Sequence, residues 1–173
     1  MVVSMTKYLI WISALLLLAL PVSAQQATDS VHHYLAFDSV GSAQYSISIE
    51  AKQMQLSGIC MLKDSTETII GSVFNEFGIK AFDMTFDKKS GKMTLLNVVE
   101  FLDKWYIRGV VKGDMNYLFE ADRQKVLPVD DNRNISKSDD GTVVLKNTKY
   151  GLSYTFTPLK SEEQENKENE TTE

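Results

Sequence analysis

Hydrophobic and polar residues begin to alternate at Ala43. Tyr45, Ile47, Ile49 and Ala51 share one face of an extended chain and Ser46, Ser48 and Glu50 the other, which predicts a half-buried β-strand. In "MQLSGICMLKD", Leu56, Gly58, Cys60 and Leu62 are opposed by Ile59 and Met61, so both faces read as covered and the strand as central. Asp64 and Ser65 turn the chain into "TETIIGSVFNEF". Gly78 interrupts before "IKAFDMTFD", where Phe82, Met84 and Phe86 alternate with Asp83, Thr85 and Asp87. A "KKSG" turn and "KMTLLNVV" complete a five-strand meander from Ala43 to Val98. Turns this tight join antiparallel neighbours and leave no room for helical crossovers.

The period then changes. Leu102, Tyr106 and Val110 fall on one helical stripe, and Ile107, Val111, Met115 and Leu118 on another. Gly109 and Gly113 each weaken a helix interior, which predicts two short helices, the second N-capped by Asp114, with one bent helix as the alternative. Trp105 and Tyr117 are expected as anchors of the packed side. Past Pro128, "VDDNRNISKSDDG" reads as a polar loop, and "TVVLKN" and "YGLSYTF" as two last strands. In the second of these, Tyr150, Leu152, Tyr154 and Phe156 face one way, and Pro158 closes the domain. The expected fold class is α+β, a curved antiparallel sheet under covering helices.

The ends of the chain differ from this body. "MTKYLIWISALLLLALPVSAQQ" places Lys7 before an apolar run from Tyr8 to Leu20 and small residues at Val22 and Ala24, the order of a secretory leader. The run is too short to span a bilayer comfortably, so cleavage after Ala24 and a periplasmic or secreted domain over residues 25–160 are expected, with an uncleaved anchor as the alternative. The segment "QQATDSVHHY" reads as a loose polar lead-in. Residues 161–173 hold six glutamates and one lysine, too little apolar content to pack, and are expected to be disordered.

That tail holds most of the net charge of −5, leaving the body near neutral and without the basic footprint that nucleic acid demands. The lone Cys60 allows no intramolecular disulfide, and its apolar neighbours predict a buried, unreactive thiol.

Candidate chemistry is sparse. Asp83 falls on the face opposite Phe82, Met84 and Phe86, and Glu76 sits beside Gly78, so the two carboxyls do not converge as a catalytic pair would. His32 and His33 are adjacent in an extended segment, where neighbouring side chains point apart and cannot ligate one metal. Asp130, Asn132 and Asn134 alternate as in a calcium loop, but Ile135 at the sixth place and Gly141 at the twelfth break that pattern. With no nucleotide fingerprint either, neither catalysis nor a metal or cofactor is expected.

Large rings and methionines are the remaining signal. They form either an ordinary core between sheet and helices or the lining of a lipid-sized cavity, and for the second reading the candidate lining is Phe74, Phe82, Met84, Phe86, Trp105, Tyr154 and Phe156. The run "LSGICMLKDSTETIIGSVFNEFGIKAFDMTF", followed by "LDKWYIRGVV" ahead of the last strands, resembles the LolA/LolB-like periplasmic lipoprotein-carrier superfamily over about half of the chain beyond the leader. The resemblance implies an open half-barrel covered by helices that binds a lipid or a lipoprotein acyl chain without catalysis. LolB-type receptors carry a lipidated N-terminal cysteine that this chain lacks, and no functional residue of the family is carried over. An envelope protein with a self-filled core, bound to a protein partner, is the rival expectation.

Overall fold

In a computed structural model the described residues are 33–159, apart from 53, 126, 127 and 129 and the side chain of Met54. The leader and the acidic tail lie outside them. The elements are strands β1 (Ser42–Ala51), β2 (Met54–Asp64), β3 (Thr68–Asn75), β4 (Lys80–Asp87) and β5 (Lys92–Leu96), helix α1 (Trp105–Gln124), and strands β6 (Arg133–Lys137), β7 (Val143–Asn147) and β8 (Leu152–Pro158). The fold is α+β. One eight-stranded antiparallel sheet, ordered β5-β4-β3-β2-β1-β8-β7-β6, curls into a half-barrel.

The order follows from the turns. β1 to β5 step outward by hairpins to one edge, and β6 to β8 step back from the other edge until β8 lies against β1, with Ile47 opposite Phe156 and Ile49 opposite Tyr154. Only α1 joins the two edges, so the helix must cross the sheet. It crosses the concave side. One end of the half-barrel carries the β1–β2, β3–β4 and β7–β8 turns and the start of α1; the opposite end carries the β2–β3, β4–β5 and β6–β7 turns and the end of α1.

Two inward-facing glycines permit the curl. A Cβ on Gly58 would lie 1.8 Å from the Phe74 carbonyl oxygen, beside the register shift between Val73 and Phe74, and one on Gly71 would lie 2.6 Å from Leu62 Cδ2. The inner face is largely apolar: Tyr45, Ile47, Cys60, Phe82, Met84, Phe86, Val143, Leu145, Tyr154 and Phe156 are all buried. Met115, Leu118 and Phe119 of α1 close over them, Phe119 with its ring centroid 5.6 Å from that of Phe86. Burial drives the Cys60 thiol up to about 12, so the expected unreactive thiol is what the fold produces.

Several expectations are corrected. The outer face of β2 is uncovered, with Ile59 44% and Met61 45% exposed, because among the described residues no layer packs on the convex side. One continuous helix replaces two. Gly109 and Gly113 are carried by the tertiary burial of Val111, Met115 and Leu118, and Asp114 lies in mid-helix, fully buried, instead of capping an N-terminus. Trp105 is 86% exposed and anchors nothing, whereas Tyr117 is buried as expected.

Part of the polar loop is the edge strand β6, missed because only Ile135 of its five residues is buried. The lead-in is not loose where it is described. Tyr34 and Leu35 are buried and give both backbone N–H groups to Asp122 Oδ1, at 2.7 and 2.9 Å. His33 is exposed, and its carbonyl accepts the Lys137 ammonium; His32 lies outside the described residues.

Candidate functional site: a cavity under the first half of the helix

α1 has an apolar stripe along its whole length, but its two halves meet the sheet differently. From Met115 onward it lies on the core. Before Asp114 it rises over a cavity of about 830 Å³ that is open to solvent, bounded by Val110, Val111 and Ile107 of the helix, Leu102 before it, and Ile49, Leu56 and Leu152 of the sheet. Ala51 and Lys52 of the β1–β2 turn, Tyr150 of the β7–β8 turn, Trp105 and Tyr106 complete it. The volume falls within the roughly 300–1,000 Å³ of ligand sites, and the lining is apolar as such sites are. Gly109 also borders the cavity, and a Cβ built there meets nothing within 4 Å.

A polar floor holds the helix above this space. Asp114 Oδ1 accepts Arg133 Nε and Asn147 Nδ2, each at 2.7 Å, and Oδ2 accepts the Tyr154 hydroxyl at 2.8 Å. One carboxylate thereby ties α1 to β6, β7 and β8. Arg133 also donates to Asp130 at 2.6 Å and borders the cavity from below. Burial, reinforced by the Asp114 charge, pushes the Tyr154 phenol far above its usual range, so it stays a donor. Gly113 makes room for the arrangement, since a Cβ there would stand 3.1 Å from Arg133 Nη2.

Asp114 was legible as an anomaly. It follows Val111 by three and precedes Leu118 by four, so it falls on the buried stripe, where a charge requires partners. Arg133 carried no such mark.

Of the residues expected to line a cavity, Trp105 borders this one. Phe82, Met84, Phe86, Tyr154 and Phe156 are buried in the core, with Tyr154 serving the polar floor. Phe74 is half-buried on the outer face, where it borders a groove of about 570 Å³ that Met84 also reaches. Ser42, Gln44, Lys63, Ser72 and Asp83 bring polar groups to its otherwise apolar lining. Glu76 and Asp83 do not converge: Glu76 meets Ser57, while Asp83 is taken up by Ser72, Lys80 and Asn97. Among the described residues no helix is long and apolar enough to cross a membrane. No protein-family model matches the chain, and no curated protein matches it in sequence.

Proposed function

We propose that the protein is a non-enzymatic carrier or binder of an apolar ligand, a lipid or a lipoprotein acyl chain, exported to the periplasm or beyond the cell. The observation that carries this reading is the open apolar cavity between the first half of α1 and the ends of β1, β2 and β8. Burying an acyl chain there would remove apolar surface from water at roughly 25 cal/mol per Å². The resemblance of residues 56–86 and 102–111 to lipoprotein carriers points the same way.

Binding of a fatty acid bearing a polarity-sensitive fluorophore tests it, with native mass spectrometry of protein purified from its own host. The expected result is saturable emission from the wild type and from Gly109→Ala. Gly109→Phe, which puts a large ring at the cavity's border where a Cβ meets no atom within 4 Å, is expected to weaken that signal while keeping its melting temperature. A wild type that neither binds the probe nor retains lipid would end the carrier reading.

A further inference from the structure

Large apolar side chains exposed to solvent are unevenly placed on this molecule. Phe77 and Ile79 occupy the β3–β4 turn, Phe101 the approach to α1, Trp105 and Tyr106 its first turn, and Tyr150 the β7–β8 turn, all at the end where the cavity opens. The opposite end exposes Val40 and Leu159, and Ile59, Met61, Ile70 and Leu96 are exposed along the strands on the convex face.

The cavity lining itself is one-sided in charge. The cavity lining contains two basic residues, Lys52 and Arg133, and no carboxylate. Lys104 precedes Trp105 in the chain, and the Lys149 ammonium lies 5.3 Å from the centroid of the Tyr150 ring. Lys52, Lys104 and Lys149 have no ion-pair partner among the described residues, whereas Asp103 and Asp130 are occupied by Arg108 and Arg133. The unpaired acids of this end, Glu50, Glu76, Glu100 and Asp131, lie outside the lining. β8 runs away from the mouth, so Leu159, the last described residue, lies toward the far end.

We propose that the mouth of the cavity docks on a phospholipid bilayer, with Trp105, Tyr106 and Tyr150 at headgroup depth and Lys52, Lys104 and Lys149 among the phosphates. Indole and phenol rings favour that depth because one part of each ring system is apolar and another polar. Lysine stems lie along apolar surface while their ammonium groups reach the phosphate layer. This deepens the carrier reading and rests on it for its purpose, since an acyl chain could then pass between bilayer and cavity without crossing water.

The chain has two tryptophans, so Trp11→Phe leaves Trp105 as the sole indole of the full chain. Vesicles of phosphatidylcholine with phosphatidylglycerol, some bearing brominated acyl chains, are then added. The expected result is a blue shift of Trp105 emission and its quenching by the brominated lipid, both stronger as the anionic fraction rises. In a chain whose only tryptophan is placed by Val40→Trp at the far end, with Trp11→Phe and Trp105→Phe, quenching is expected to be lost. Equal quenching at both positions, or a Trp105 emission indifferent to vesicles, overturns the proposal. A blue shift that grows with protein concentration in the absence of lipid overturns it in favour of self-association. Fatty-acid probe binding without vesicles reads the cavity alone, so the two proposals fail separately.

Discussion

The two ends of the half-barrel are built from the same helix and the same sheet, yet one is sealed and the other gapes. At the sealed end Phe119 meets Phe86, and Tyr34 and Leu35 tuck in behind Asp122. Arg123 and Gln124 hold Glu120 against the Gly91 turn. At the open end a cavity separates the helix from the sheet, and the largest ring, Trp105, is turned outward. The difference lies in how closely the helix approaches the sheet along its length. The polar floor around Asp114 marks the boundary between the two halves.

The sharpest separation comes from removing one ring at each end. Phe119→Ala, at 1% exposure, is expected to cost about 3–5 kcal/mol in chemical denaturation, whereas Trp105→Ala should stay within about 0.5 kcal/mol of the wild type. A large loss from Trp105→Ala would mean that the open end is packed in solution.

Asp114→Ala comes next, at about 3 kcal/mol, because it strands the Arg133 charge and leaves the Asn147 and Tyr154 donors unpaired beneath the helix. Urea titration measures it, and amide hydrogen exchange should show the first half of α1 opening before the second.

A smaller effect of the opposite sign is expected at Gly109. Alanine there meets no atom and removes a helix-interior glycine, so Gly109→Ala should gain about 0.8 kcal/mol. No gain would indicate that this stretch of α1 is not helical in solution.

Two carboxylates give the ends opposite responses to acid, and these are the smallest effects. Burial alone would raise Asp83, but hydrogen bonds from Asn97, Ser72 and Lys80 bring it below its usual range. Its stabilising contribution is therefore present above the unfolded value of 3.8 and lost as pH falls through the depressed folded one. Asp122 is raised, by burial first, against the opposing N–H groups of Leu35 and Tyr34. Its contribution is full below 3.8 and declines as pH rises through the folded value. Melting temperatures recorded from neutral pH downward should show Asp83→Asn converging on the wild type and Asp122→Asn falling behind it. Parallel curves for either variant would remove that residue from the pH response.

Period-two alternation is a local property of the backbone, and it marked β1 to β5, β7 and β8 because each of them buries one face. It failed at β6, where an edge strand turns a single apolar side chain inward, and at the outer side of β2, where alternating hydrophobic residues face water. Gly109 and Gly113 predicted a break in the helix because intrinsic propensity is all that a chain shows before it packs; the buried stripe from Val111 to Phe119 outweighs them. The rings read as cavity lining were nearly all core, since alternation tells which face a side chain takes and not how far the opposing layer stands from it.

What the amino-acid order determined by itself was the identity and sidedness of most strands, the apolar stripe of the helix, the buried thiol of Cys60 and the charged tail. Whether the space facing that stripe is filled was decided only by the tertiary structure. The distance between helix and sheet depends on side chains far apart in the chain, Phe86 and Phe119 at one end, Asp114, Arg133, Asn147 and Tyr154 in the middle, and no local period records how they meet.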